Sequence, residues 1–262
     1  MGGPSHNADA EGLMRGTAHA WRQPAWVVSA WAVFRKDIRS ELRSRVALSA
    51  MGVFCLSALF LIALATAPLQ GVYLSAADGS AARSAWSPES RFGLMWVLLC
   101  FAAFVGLGHS FVSEEDQGTA TPLRLACTAE AVYAGKLAVN AAIMAAAALL
   151  VIPAYCLVCG LGIGDPLRFA VAAGTGCAGL AASATIVGAL AARARGATGL
   201  FSALGLPLAV VFLMLLQNCA AAIYEDLPLI QTVRAIGGLI SYVVLLVAVS
   251  ALVFRYVWED AL

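Results

Sequence analysis

Charge is scarce in this chain. Of its 262 residues only 12% are Asp, Glu, Lys or Arg, 61% are hydrophobic and three are His. Together with a mean hydropathy of +0.86, this excludes a soluble globule, in which about a quarter of the residues carry charge. Six runs, at roughly 46–67, 92–112, 137–161, 169–192, 200–223 and 236–254, hold no Asp, Glu, Lys or Arg. Transporters driven by a proton or sodium gradient keep ionisable groups inside the membrane, where the gradient is read. Spans of this kind offer none. No Gly-rich loop ends in Lys-Ser or Lys-Thr, so the chain does not bind ATP by a P-loop. No His-Glu-x-x-His, no paired intramembrane acids and no metal-spaced cluster is present. The expectation is no catalytic residue, no metal ligand and no bound cofactor.

Other absences narrow the reading further. His109 is the only imidazole near a span, and with Ser110 beside it the simpler reading is a packed, hydrogen-bonded residue. Gly108-His109-Ser110-Phe111-Val112 lacks the closing Gly of a nucleophile elbow, so a membrane hydrolase has little to rest on. Of seven cysteines, Cys55, Cys100, Cys156, Cys159, Cys177 and Cys219 fall in the runs and Cys127 in a loop between them, so a disulfide framework is not expected. Cys156-x-x-Cys159 has redox-like spacing but lies in an apolar helix, where small packing residues are the better reading. Ala65-Thr66-Ala67 looks like a cleavage site, yet the basic region before it is too long for a signal peptide.

What is present is a set of six runs long enough to cross about 30 Å of hydrocarbon at about 1.5 Å per residue. A spanning backbone must satisfy its own hydrogen bonds, so the runs are helices. The expected fold is an all-α, six-helix membrane bundle occupying 46–262. It is preceded by a tail, 1–25, and an amphipathic segment, 26–45. In that segment Val27, Trp31, Phe34, Ile38 and Leu42 recur at steps of four and three, while Arg35, Lys36, Arg39, Glu41 and Arg43 fall largely elsewhere. Such a helix lies in the membrane interface, its stripe at the headgroup boundary and its cations among anionic lipids.

Cation placement gives the orientation. Arg15, Arg22, Arg35, Lys36, Arg39, Arg43 and Arg45 precede the first span, and Arg124, Lys136, Arg193, Arg195 and Arg255 share their side. Only Arg83, Arg91, Arg168 and Arg234 lie opposite, which places both termini in the cytoplasm. Pro68, Pro153, Pro166, Pro207 and Pro228 mark span ends or kinks. Trp86, Trp96, Tyr155, Tyr224, Tyr242 and Trp258 mostly read as interface anchors. In the fourth span Ala170, Gly174, Ala178 and Ala182 form a ridge with Gly176 and Gly179 beside it, the pattern of close helix packing within the chain or between two copies. Gly174-x-Gly176-x-x-Gly179 has dinucleotide-motif spacing but no strand before it. Gln217 and Asn218 would line a cavity or bond a neighbouring helix.

The loop between the second and third spans is the most telling. Ser113-Glu114-Glu115-Asp116-Gln117-Gly118-Thr119 is followed by Pro122, Leu123, Leu125, Val132 and Tyr133, a weaker amphipathic segment, before Gly135-Lys136 re-enters the membrane. Acids followed by apolar side chains on a cytoplasmic loop make a docking surface, and a solvated loop is the plainer alternative.

Three stretches carry a family resemblance: 34–45, with its Phe34-x-x-Asp37 start and acidic-basic continuation; Glu114 to Gly118 with Leu123-x-Leu125 and Gly135-Lys136; and 191–196 with Leu206-Pro207-Leu208. In these the chain resembles the CcmB family, the ABC-2 type membrane subunits of the cytochrome c maturation complex often called a haem exporter. The likeness covers about residues 30–255. The chain departs from such permeases at Cys127, where Pro is frequent, and at Ala120, where an acid is common. The resemblance implies a permease subunit in a bacterial-type inner membrane, present in two copies. A separate CcmA-like ATPase would dock at Glu114, Glu115, Asp116, Gly118, Leu123 and Leu125, with Trp31, Phe34, Asp37, Ile38 and Leu42 in the interfacial helix. CcmC- and CcmD-like membrane proteins would accompany it. ATP hydrolysis would then release a haem-loaded CcmE-like chaperone at the outer face, haem being handled by the complex. An ABC-2 exporter of a lipid, drug or polymer, and a non-transporting membrane scaffold, stay open beside it.

Overall fold

The structure, a computed structural model, describes residues 26–66, 86–107, 127–193, 198–225 and 227–259. These form seven helices and no strand: α1 Trp26–Ser44, α2 Val46–Thr66, α3 Pro88–Leu107, α4 Ala129–Cys159, α5 Pro166–Arg193, α6 Thr198–Tyr224 and α7 Leu229–Glu259. The last six are each long and apolar enough to cross a bilayer. Their outward surface agrees with that reading, since Leu56, Leu149, Leu157 and Leu252 are all at least 70% exposed. In water such a rim would collapse on itself, whereas lipid solvates it.

α5 is the central helix and touches α3, α4, α6 and α7. Its spanning stretch is 67% buried, against 11% for α2, which stands at the periphery against α3 and α4. Composition explains the difference. A Cβ on Gly176 would run into the Trp96 ring, and one on Gly179 into the Phe212 ring. Two aromatic side chains from α3 and α6 therefore lie directly on the α5 backbone. Trp96 is a core residue, 1% exposed, rather than an interface anchor. Tyr155 is fully buried as well.

The ridge read from the fourth span divides. Ala182 is buried, but Ala170, Gly174 and Ala178 are exposed, and a Cβ on Gly174 would meet nothing within 4 Å. Within this chain the close approach belongs to Gly176 and Gly179. Gly174 and Ala178 instead line a shallow apolar groove of about 450 Å³ between α4 and α5, with Ala145, Leu149, Pro153 and Cys177.

Helix ends follow local chemistry. Thr128 caps α4 by accepting from the Ala131 amide, and Gly160 closes it in the left-handed region at φ 66°. Asp165 caps α5 through the amides of Leu167 and Arg168, with Pro166 in the first position. Pro153 and Pro207 lie inside α4 and α6. Between α1 and α2 the chain turns at Arg45, a non-glycine residue at φ 56°, so the joint sits where charge gives way to the first apolar run.

Candidate functional site

The end of the bundle that carries α1 is held by a second, smaller core. Val33 of α1, Ala129, Val132 and Tyr133 of α4, Ala189 of α5 and Phe254 of α7 pack together there. Tyr133 and Phe254 bring their rings within 5.6 Å. α1 reaches α4 because Gly135 has no side chain. A Cβ there would lie 2.8 Å from both the Ala30 carbonyl oxygen and the Val33 Cβ.

One residue beyond that contact lies the main electrostatic feature. Lys136, 1% exposed, donates from Nζ to Oδ2 of Asp37 at 3.2 Å, and Asp37 is itself only 8% exposed. The other carboxylate oxygen, Oδ1, lies 2.9 Å from Nζ of the half-exposed Lys36. A buried ammonium costs several kcal/mol to desolvate and is tolerated only against a matched anion. The pairing therefore fixes the rotation of α1 on α4. One turn further along α4, Asn140 donates to the Thr185 hydroxyl of α5 at 2.8 Å, and that hydroxyl donates to the Ala181 carbonyl. Tyr133, Lys136 and Asn140, at steps of three and four, form one buried polar column on α4.

The α1 stripe is placed accordingly. Ser29, Val33 and Asp37 form the buried line. Phe34 and Ile38 are half-buried against the main core, while Trp31 and Leu42 are exposed. Glu41, which the sequence groups with the polar face, is half-buried on the same side as Asp37. Glu114, Glu115, Asp116, Gly118, Leu123 and Leu125 lie outside the described residues, as does His109. Residues 108–126 join α3 to α4 at this end.

The opposite end is tied differently, by side chains bonded to backbone carbonyls. Arg91 donates to the Gly160 carbonyl at the end of α4, and Tyr155 donates back to the Arg91 carbonyl. Arg168 donates to the Ala222 carbonyl in the last turn of α6 and pairs with Asp165. Gln217 donates to the Glu89 carbonyl, so it bonds a neighbouring helix, while Asn218 is exposed. Tyr224 donates to Gly162. Gly164, at φ 63°, lets the loop pass so close that a Cβ would lie 2.7 Å from the Ile223 carbonyl.

Among the described residues no three His, Cys, Asp or Glu side chains converge as a metal site. Cys156 and Cys159 are free thiols. Lys136, which by sequence closes the loop between the second and third runs, lies inside α4 and is the functional candidate. The signal for it was present, because Thr128 followed by an acid at Glu130 marks a helix start eight residues before Lys136. Compared with protein-family models, with curated proteins and with solved structures, the chain matches none.

Proposed function

We propose that this chain is a CcmB-like, ABC-2 type permease subunit whose work is powered by ATP hydrolysis in a separate, CcmA-like ATPase. One observation carries the reading. Two of the segments that bear the family resemblance, Phe34-x-x-Asp37 and Gly135-Lys136, lie 99 residues apart in sequence and meet in the buried Asp37–Lys136 pair. That contact links α1 to the first helix after residues 108–126, where the ATPase would dock. A push on the loop would move α4, and through α5 the rest of the bundle. The chain itself would perform no catalysis. Its role would be coupling, with release of a haem-loaded CcmE-like chaperone at the outer face alongside CcmC- and CcmD-like proteins.

In this reading both termini are cytoplasmic and α1 lies in the inner membrane interface. Its stripe faces acyl chains on one edge, and its buried line faces α4. The exposed Gly174 and Ala178 groove would receive a second copy. The deciding experiment is isolation of the intact assembly from membranes with identification of its companions. A nucleotide-hydrolysing subunit is expected, and Leu123→Asp with Leu125→Asp should abolish its recovery while the chain still inserts. An assembly without such a subunit, or unchanged recovery with the double variant, removes the proposal.

A further inference from the structure

α1 has two faces that no single solvent satisfies. Trp26, Val27, Val28, Trp31 and Leu42 are each more than half exposed. Beside them Arg35, Lys36, Arg39 and Arg43 are exposed too, with Arg45 at the joint. Water would not hold two tryptophans open at 61% and 63%, and hydrocarbon would not hold four cations. The headgroup layer of a bilayer satisfies both.

The structure adds something about charge. Both carboxylates of α1 are turned away from this face, Asp37 buried against Lys136 and Glu41 half-buried on the same side. The exposed polar surface of α1 is therefore predominantly cationic: of its two acids only Asp37 reaches an exposed cation, Lys36, and it does so from the buried side. Asp37 also bridges the faces. It holds Lys36 on the exposed side at 2.9 Å and Lys136 on the buried side at 3.2 Å.

We propose that the outer face of α1 binds the phosphate headgroups of anionic lipids, and that Lys36, Asp37 and Lys136 transmit this binding to α4. A lipid phosphate drawn to Lys36 competes with Asp37 for the ammonium. Asp37 then gives its charge more fully to Lys136, and α1 seats more firmly on Gly135. In a zwitterionic leaflet Lys36 keeps its share of Asp37 and the seat is looser. The local anionic lipid content thus sets how rigidly α1 and α4 move together. The inference rests on the interfacial placement of α1 proposed above.

The test reconstitutes the full chain with its native companions in nanodiscs of phosphatidylcholine alone, or with phosphatidylglycerol added at constant ionic strength. Amide exchange is followed over residues 26–44 and 129–140. Phosphatidylglycerol should slow exchange in both segments several-fold, and the combined Arg35→Gln, Arg39→Gln and Arg43→Gln variant should lose that response. Asp37→Asn should keep phosphatidylglycerol retention, read by native mass spectrometry, while losing the response in 129–140. Should Asp37→Asn unfold, Lys36→Met, at a half-exposed position, replaces it with the same expectation. Equal exchange in both lipids overturns the proposal. So does a response to inorganic phosphate at matched concentration, or one elicited only by an acidic companion protein. Quenching of Trp26 and Trp31 by brominated lipid tests the placement separately. Quenching in both lipids with equal exchange would leave α1 at the interface and remove only its sensitivity to charge.

Discussion

The two ends of the bundle handle charge in opposite ways. At the α1 end a buried cation meets a buried anion on another helix, Lys136 against Asp37. At the opposite end Arg91 and Arg168 meet helix carbonyls, at Gly160 and Ala222. The first arrangement concentrates the cost of desolvation in one buried contact. The second spreads the same task over several partly exposed bonds, each helped by the negative end of a helix dipole. An element that must move as a unit is better served by the first, and a fixed platform by the second. The contrast predicts where the protein is fragile.

Its sharpest test is at the ion pair. Asp37→Ala leaves the Lys136 ammonium buried without its carboxylate, and removing one partner of such a pair costs about 3–5 kcal/mol. Lys136→Met should cost less, because Asp37 retains Lys36 at 2.9 Å. The double variant Asp37→Leu with Lys136→Met should regain most of the loss, since apolar groups of similar volume often replace a buried pair at no net cost. Thermal unfolding in detergent measures all three. An Asp37→Ala melt close to that of the parent protein would mean that the pair holds nothing.

The same pair accounts for where the sequence was legible and where it was not. All six apolar runs correspond to helices, because hydrocarbon length and backbone satisfaction leave few alternatives. Four of the helices begin before the uncharged run they contain, and each of the four takes in the charge that bounds the run. Reading each run as starting after the last charge put the third span at 137, while α4 begins at Ala129 and carries Lys136 inside. It put the second at 92 and the fourth at 169, while α3 and α5 begin at Pro88 and Pro166 and include Arg91 and Arg168. It put the sixth at 236, while α7 begins at Leu229 and includes Arg234. A charge stops a run in a hydropathy count but not in a protein that supplies a counter-group. For Lys136 that group lies 99 residues away, and no local pattern reveals it. The rotation of α5 was hidden for a related reason. Gly174 and Gly176 look alike in sequence, and only Trp96 on the neighbouring helix distinguishes them.

Between the ends, α5 offers a control that should disturb both alike. Gly176→Ala drives a methyl into the Trp96 ring, and overpacking of this kind costs about 1–3 kcal/mol. Gly174→Ala points into open space and should shift stability by less than about 0.5 kcal/mol. Amide exchange should rise at both ends in the first variant and at neither in the second. A rise confined to one end would mean that the two regions are not joined through α5.

Smaller losses are expected opposite α1. Arg91→Met removes a charge-assisted bond to the Gly160 carbonyl, but the contact is solvent-exposed, and the expected loss is about 1 kcal/mol or less. Arg168→Met should behave similarly, with Asp165 still capping α5 through two amides. Chemical unfolding of each single variant and of the pair should give additive losses, because the two arginines cap different helices. A loss from either that rivals Asp37→Ala would erase the contrast between the ends.

The smallest effect should be a gain, and it should appear at one end only. Arg45 holds a left-handed backbone at φ 56°, which costs an L-residue about 1–2 kcal/mol relative to the right-handed form. Glycine adopts it freely but gives back part of that advantage as chain entropy. Arg45→Gly should therefore stabilise the fold by less than about 1 kcal/mol in detergent, where no headgroup rewards the lost cation. The joint would also become freer, so exchange in α1 should rise even as the melt improves slightly. If the melt instead falls by as much as a cap or bond is worth, the Arg45 side chain itself holds α1 in place, and the hinge is then set by charge rather than by backbone geometry.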